Sequence, residues 1–329
     1  VSMANKTQPG YHLGFDLGGT KMLAVVYDDQ FNAVGRNRIK TRGNLGVESV
    51  LKRLIGNIES ALTDAQVEPS ELRSIGIGVP GAVNMQTGVV LGAVNLAWKN
   101  VPVAETLINH FQCPVQLLND VDAGVFGESQ FGAGRGATNV LGVFPGTGIG
   151  GGVVLNGEIV TGASQTAVEI GHIPAVPNGI RCGCGLRGCL ETVASRLAIA
   201  GQAAQAAYRG AAPYLLEQVG TDISLIRSGV LAASIANGDS EVERIIKSAC
   251  KYLGKAIGAM ATVLSPDVVV LGGGLAEAMP ELFTKYTSKA AEKSVVPILK
   301  GTFEVKIAEL GDDASVLGAA VWGAQKSAS

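Results

Sequence analysis

Charge is the first thing this sequence is short of. Asp, Glu, Lys and Arg supply 16% of its 329 residues, against about 25% in an average soluble domain. A surface that poor in charge is expected to be partly hidden in a homo-oligomer, a homodimer first of all. A basic block is also missing, and 26 Lys and Arg against 28 Asp and Glu leave a net charge of −2. Nucleic-acid binding needs a positive face, so no nucleic-acid partner is expected. No apolar run approaches the roughly 18 residues of a membrane span, and no membrane partner is expected either. Residues 1–10 are polar and lack the apolar core of a signal peptide, which makes the cytoplasm the expected setting. Cysteine is scarce and odd in number, at five. Three of the five crowd between Cys182 and Cys189, a pattern unlike a secreted disulfide scaffold. Cys113 and Cys250 stand alone in apolar surroundings and read as small buried hydrophobes.

Glycine is what the chain has in excess: 45 residues, about twice the usual share of ~7%. Hydrophobic residues at 47% exclude a disordered chain, and the length suggests two domains. The first half reads as strand, strand, strand, helix, strand, helix, strand. Leu13 to Leu17 and Met22 to Tyr27 flank the turn Gly18-Gly19, and a third run covers Ala33 to Lys40. Apolar residues at Val47, Val50, Leu51, Leu54, Ile58 and Leu62 have helical spacing and predict a helix to about Ala65. Ile75 to Val79, ended by Pro80-Gly81, is a buried strand; Val103 to Phe111 is a short helix and Val115 to Leu118 a strand.

The same grammar returns downstream. Asn139 to Phe144 is a strand, Gly146 to Gly152 a glycine turn, and Val153 to Leu155 a strand. Asn156-Gly157 fits a two-residue hairpin before Glu158. A long helix from about Ser240 to Leu264, a buried strand Val268 to Leu271 opening into Gly272-Gly273-Gly274, a strand Phe303 to Ile307 and a helix Ser315 to Gln325 complete it. Two copies of one α/β unit imply two similar domains facing each other across a cleft, where ligands usually lie.

Two familiar phosphate motifs fail on context. Gly146-Thr147-Gly148-Ile149-Gly150-Gly151 fits the dinucleotide fingerprint, which demands a helix directly afterwards; here a strand follows. Gly14 to Lys21 resembles a Walker A loop, but Thr20 and Lys21 stand in reversed order and again a strand follows. What remains is a pair of glycine hairpin turns whose backbone N–H groups admit a phosphate closely. Gly272 to Gly274, between strand and helix, is a third candidate nucleotide contact. Asp16 beside the first turn suits a Mg²⁺ ion, or else a turn-capping role. Asp120, next to Asn119 at the end of the first unit, is placed either to take a proton from a substrate hydroxyl during phosphoryl transfer or to cap a helix.

His172, Cys182, Cys184 and Cys189 form a complete Cys₃His set for a structural, tetrahedral Zn²⁺. Cys182 and Cys184 are too close in sequence for a comfortable disulfide. Glycines at 179, 183, 185 and 188 provide the tight turns that wrap one ion. Glu169 and Glu191 flank the cluster, placed either to hydrogen-bond a polyhydroxylated ligand or to form a solvated face.

Together these motifs resemble the ROK family of bacterial sugar kinases and repressors, the glucokinases within it most closely, over about Leu13 to Ala324. Asp16-Leu-Gly-Gly-Thr-Lys21 is similar to the family's first phosphate motif and Gly146-Thr-Gly-Ile-Gly150 to its second. Glu169-Ile-Gly-His172 and Cys182-Gly-Cys-Gly-Leu-Arg-Gly-Cys-Leu-Glu191 match its zinc and sugar signature. The resemblance implies an actin-like ATPase (ribonuclease H-like) fold: residues 11–119 as the N-terminal domain, 120–312 as the C-terminal domain with zinc loop 172–189, and a last helix, 313–327, returning to the first. It implies ATP with Mg²⁺ and a hexose as substrates, Asp120 as catalytic base, and structural Zn²⁺. Gly81, Asn95, Asn119, Asp120, Glu169, His172 and Glu191 would line the sugar, with zinc fixing the His172 tautomer. Asp16, Gly18, Gly19, Thr20, Lys21, Gly146, Thr147, Gly148 and Gly272 to Gly274 would face the nucleotide. Val168 departs from the pattern, since a glycine commonly stands there.

The implied activity is phosphorylation of glucose at its 6-hydroxyl, with N-acetylmannosamine, fructose or mannose as alternative sugars and polyphosphate as an alternative donor. A sugar-responsive repressor is the less expected role, because the fifteen residues before Asp16 are too few for a helix-turn-helix.

Overall fold

The structure is a computed structural model that describes residues 10–328; the polar segment 1–9 read above lies outside the described residues. The chain divides into two units, each with its own hydrophobic core. Unit 1 holds the described residues up to Gln130, Thr161–Ala167, and those from Asp312 on; unit 2 holds Phe131–Val160 and Val168–Gly311.

Unit 1 is built on β1 (Tyr11–Leu17), β2 (Lys21–Tyr27), β3 (Ala33–Lys40), α1 (Val47–Ala65), β4 (Leu72–Val79), β5 (Ala82–Asn84), β6 (Val89–Ala93), β7 (Trp98–Val101), α2 (Val103–Phe111), β8 (Val115–Asn119) and α3 (Asp120–Phe131). Its main sheet runs β3-β2-β1-β4-β8. β1 to β3 pair antiparallel, as short hairpin connections allow, while β1, β4 and β8 run parallel because α1 and α2 cross over between them. Leu13, Phe15 and Leu17 of β1 are fully buried with Val50, Leu54 and Ile58 of α1, the apolar face that helical spacing predicted. The chain's small second sheet, β5-β6-β7, has no counterpart in the sequence reading.

Unit 2 repeats the plan with β9 (Asn139–Pro145), β10 (Ile149–Leu155), β11 (Glu158–Ile159), α4 (Glu191–Ala194), α5 (Arg196–Tyr208), α6 (Pro213–Val219), α7 (Ser228–Ala236), α8 (Ser240–Leu264), β12 (Val268–Leu271), α9 (Gly273–Ala278), α10 (Pro280–Ser294) and β13 (Glu304–Ile307). Its sheet order, β11-β10-β9-β12-β13, is that of unit 1 strand for strand. The β10–β11 turn has Asn156 at φ 52° and Gly157 at φ 81°, the two positive values that a type I′ hairpin needs. One expectation is corrected: the glycine turn ends at Gly148, and Ile149 to Gly152 already belong to β10. A Cβ on Gly151 would lie 2.6 Å from Ile170 Cγ2, so this glycine serves close packing in the strand rather than a bend.

The last helix, α11 (Ala314–Ala328), belongs to unit 1. It lies against α3 with almost no gap. A Cβ on Gly127 would fall 2.3 Å from the Ala314 carbonyl, and one on Gly318 1.9 Å from that of Ala123. Trp322 meets Phe126 edge-on at 5.5 Å. That packing explains why α3 groups with unit 1 up to Gln130, so the domain boundary expected after Asn119 falls later. No helix among the described residues is long and apolar enough to cross a membrane. Cys113 and Cys250 are buried free thiols, pushed by burial up to about 11 and about 12.

Candidate active site

In unit 1 the parallel register sets Asp16 opposite Gly78, Gly78 opposite Leu118, and Val79 opposite Asn119. Asp16, Gly81 and Asn119-Asp120 therefore emerge at the carboxyl ends of neighbouring strands, the usual ligand end of such sheets. Between β1 and β2 the turn Gly18-Gly19-Thr20 leaves its three backbone N–H groups without a hydrogen-bond acceptor among the described residues. The Gly18 carbonyl accepts from Thr41 Oγ1 at 2.6 Å, which fixes the turn. A Cβ on Gly19 would sit 3.1 Å from Asn95 Cβ, so the structure brings Asn95 against this turn.

Asp16 does not cap the turn; its Oδ1 accepts from Ser315 Oγ at 3.2 Å. Burial, and then the charge of Asp120, push its carboxyl up from 3.8 to about 6. Lys21 and Arg38 converge on Asp312, at 3.5 and 3.0 Å. With Asp16 they line a small cavity of about 50 Å³.

The helix-cap alternative for Asp120 is resolved by its neighbour. Asn119 Oδ1 accepts from the N–H groups of Val121 at 2.8 Å and Asp122 at 3.3 Å, so Asn119 caps α3 and Asp120 is its first helical residue. The Asn119 amide donates to the Gly81 carbonyl at 3.0 Å. Gly81 holds φ 89°, and a Cβ there would strike the Gly92 carbonyl at 2.2 Å; no other residue fits. Burial raises the Asp120 carboxyl, and the Val121 N–H at 3.0 Å only partly offsets it. A base with a raised pKa is a better proton acceptor near neutral pH.

In unit 2 the second turn, Gly146-Thr147-Gly148, repeats the first. The N–H groups of Thr147 and Gly148 have no acceptor among the described residues, while Gly146 N–H closes the turn on the Gly148 carbonyl at 2.9 Å. Glu191 Oε2 accepts from Ile149 N–H at 3.1 Å, and a Cβ on Gly148 would fall 2.3 Å from that oxygen. Arg196, which the sequence reading missed, donates to Thr147 Oγ1 at 2.9 Å, and its backbone N–H donates to the Gly146 carbonyl at 2.8 Å. Its only signal in sequence is a charge at the start of α5. Gly272 packs on the Phe144 ring and Gly273, at φ 79°, lies near the Pro145 carbonyl, so Gly272 to Gly274 stand beside this second turn.

His172, Cys182, Cys184 and Cys189 come together with all four donor atoms within 4.8 Å of one another. Cys184 and Cys189 have their sulfurs 3.7 Å apart, and Cys182 Sγ is 3.6 Å from His172 Nδ1. A tetrahedral ion with ~2.3 Å bonds to sulfur and ~2.0 Å to nitrogen requires separations of about 3.8 and about 3.5 Å. The donor set and its spacing fit zinc, and a disulfide, at about 2.05 Å, does not. The loop is a hairpin in which Cys182 N–H donates to the Leu186 carbonyl at 2.8 Å. Gly185 turns at φ 97°, and a Cβ on Gly188 would strike the Val176 carbonyl at 1.8 Å; Gly183 has no such constraint. Nδ1 is the His172 ring nitrogen that faces the Cys182 thiol.

Val168 carries the left-handed conformation that a glycine takes easily, at φ 65°. Glu169 follows at φ −70°, ψ 57°, an inverse γ-turn, with Ile170 N–H donating to the Val168 carbonyl at 2.7 Å. Glu169 is exposed next to the half-buried His172.

The chain is similar to several known proteins over nearly its whole length. A glucokinase from Halalkalibacterium halodurans is 34% identical over 314 residues, spanning 94% of this chain and 93% of that protein. The crystal structure of a ROK family glucokinase from Streptomyces griseus in complex with glucose and AMPPNP superposes with a TM-score of 0.82 at 28% identity, covering 96% of this chain and 100% of that one. A ROK hexokinase from Thermus thermophilus gives 0.80 at 31% identity, covering 96% and 98%. The fold is the actin-like ATPase fold of these sugar kinases. Residues 12–326 match the ROK family, and the chain belongs to it.

Proposed function

We propose that this protein is an ATP-dependent hexose kinase that phosphorylates glucose at its 6-hydroxyl. The observation that carries the reading is Asp120: a carboxylate relieved of helix capping by Asn119, raised by burial, and standing beside Asp16 and the first glycine turn. Relatives named glucokinase over nearly the full chain support the sugar. In this reading Asp120 accepts the proton of the attacking hydroxyl, and the turns at Gly18 to Thr20 and Gly146 to Gly148 offer backbone N–H groups to the phosphates, with Gly272 to Gly274 as a third contact. Lys21 adds a positive charge at the first turn. Asp16 is the residue that would hold Mg²⁺, which when bound spreads and neutralises the phosphoryl charge.

On the sugar side, Gly81, Asn95 and Asn119 of unit 1 and Glu169, His172 and Glu191 of unit 2 are the proposed hydroxyl partners. Zinc held by His172, Cys182, Cys184 and Cys189 is structural, since four protein ligands leave no open position. Its contribution is to hold the loop and to bind deprotonated Nδ1, which leaves His172 Nε2–H as a donor. Reduced thiols and an ATP substrate both point to the cytoplasm, and the low charge content to a homodimer. The test is a coupled assay of kcat/KM over glucose, N-acetylmannosamine, fructose and mannose, with ATP and polyphosphate as donors. Glucose with ATP is expected to lead; a higher value for another pair would replace the assignment.

A further inference from the structure

The second glycine turn is bound to α5 in an unusual way. Arg196 touches it twice, through its backbone N–H on the Gly146 carbonyl at 2.8 Å and through Nη2 on Thr147 Oγ1 at 2.9 Å. A guanidinium can only donate, so Thr147 Oγ1 is the acceptor in that bond, and its own hydroxyl hydrogen must point elsewhere. Thr147 is exposed, and beside it the N–H groups of Thr147 and Gly148 have no acceptor among the described residues. The turn thus presents three donors with nothing to receive them. Arg196 is half-buried, and no carboxylate lies within 4.0 Å of its guanidinium among the described residues. Among the described residues Arg36, Arg38, Arg73 and Arg244 are ion-paired with carboxylates; Arg196 instead gives its guanidinium to a neutral hydroxyl. At Arg196 no carboxylate among the described residues stands at ion-pair distance to supply the counter-charge.

We propose that Arg196 is a positioning residue for the nucleotide: it fixes the Thr147 hydroxyl as a donor toward the ATP phosphates and supplies the positive charge behind it. A hydroxyl that accepts from a cation is polarised and donates more strongly, and a chain Arg196 to Thr147 to phosphate oxygen passes that polarisation to the anion. A neutral Thr147 without Arg196 is free to turn its lone pairs to the phosphate, which repels them. The inference rests on the nucleotide reading of this turn.

The experiment measures ATP and glucose affinity by titration calorimetry, with steady-state KM values and melting temperature, on the intact protein. Arg196→Met is expected to weaken ATP binding roughly tenfold, the scale of one charge-assisted hydrogen bond, while glucose affinity stays within about twofold. Arg196→Lys, which keeps the charge, is expected to recover part of the loss. Thr147→Val is expected to weaken ATP comparably, and Arg196→Met added to Thr147→Val should then cost much less than it does alone. ATP affinity unchanged in Arg196→Met, or ATP and glucose affinity falling together with the melting temperature, overturns the proposal. A wild-type protein that binds no ATP overturns instead the nucleotide reading beneath it.

Discussion

Replacing Asp120 by Asn removes the proposed base and almost nothing else. The α3 cap is Asn119, whose Oδ1 keeps both of its N–H donors, and the Asn oxygen at 120 still accepts from Val121 as Asp120 Oδ1 does at 3.0 Å. The substitution also deletes a buried negative charge that bears on Asp16. The melting temperature is therefore expected to hold or rise. Chemistry is expected to suffer: removing a general base costs about 10²–10⁴ in rate, roughly 3–5 kcal/mol of barrier. The loss falls on kcat, with glucose affinity by calorimetry changed little, since an amide still accepts one hydrogen bond. In the wild type, kcat should fall as pH drops through the raised pKa of Asp120, because the base must be ionised. Retention of more than about a tenth of wild-type kcat in Asp120→Asn, well above the base-removal range, would refute the role. A large fall in melting temperature would refute the structural reasoning.

Metal analysis of protein purified without added zinc should find one ion per chain, and a strong chelator should lower the melting temperature; metal-free protein with unchanged stability contradicts the zinc loop. Asp16 has its carboxyl raised from 3.8 to about 6, so the native state holds more protons than the unfolded one between those pH values and stability is lost as pH rises through about 6. At about 1.4 kcal/mol per pH unit the ionised group costs about 3 kcal/mol, so Asp16→Asn should melt higher than wild type at pH 8 and equally at pH 3.5, while losing activity. At Val168 the left-handed backbone costs a β-branched residue about 1–3 kcal/mol; denaturant titration should show Val168→Gly more stable than Val168→Ala, reversing the usual order in which Ala exceeds Gly by about 0.5–1 kcal/mol. Light scattering at micromolar concentration should give at least twice the chain mass, and a monomer mass removes the dimer.

Much of the fold is legible in the chain because its elements have strong periods. Val47 to Ala65 and Ser240 to Leu264 place apolar residues at helical spacing, and both helices have those bounds. The duplicated sheet order follows from two glycine hairpins, each opening a strand–helix alternation. The small sheet from Ala82 to Val101 is not legible: its strands have three to five residues, too short for a period of two to stand out. The two left-handed residues near β7, Ala97 and Asn100 at φ 53° and 52°, give no warning by residue type at Ala97. Gly150 to Gly152 mislead for the opposite reason, since glycine marks a turn and a close approach alike. At the candidate site the Cys₃His cluster is readable because its four donor residues crowd into one short stretch of sequence, between His172 and Cys189. Which of Asn119 and Asp120 caps α3 is not, because both residue types cap well and only the bonds to Val121 and Asp122 decide it. Arg196 is invisible to spacing, since its partner Thr147 lies 49 positions away.

Transfer of the γ-phosphoryl group of ATP to a hexose 6-hydroxyl is read out most directly by phosphorus NMR of a completed reaction. With glucose, Mg²⁺ and ATP, ADP and a new phosphate ester are expected in equal amounts, the ester signal split into a triplet by the pair of hydrogens on carbon 6. A doublet, from an ester at the anomeric or a secondary hydroxyl, or ADP accompanied only by free phosphate, would contradict it.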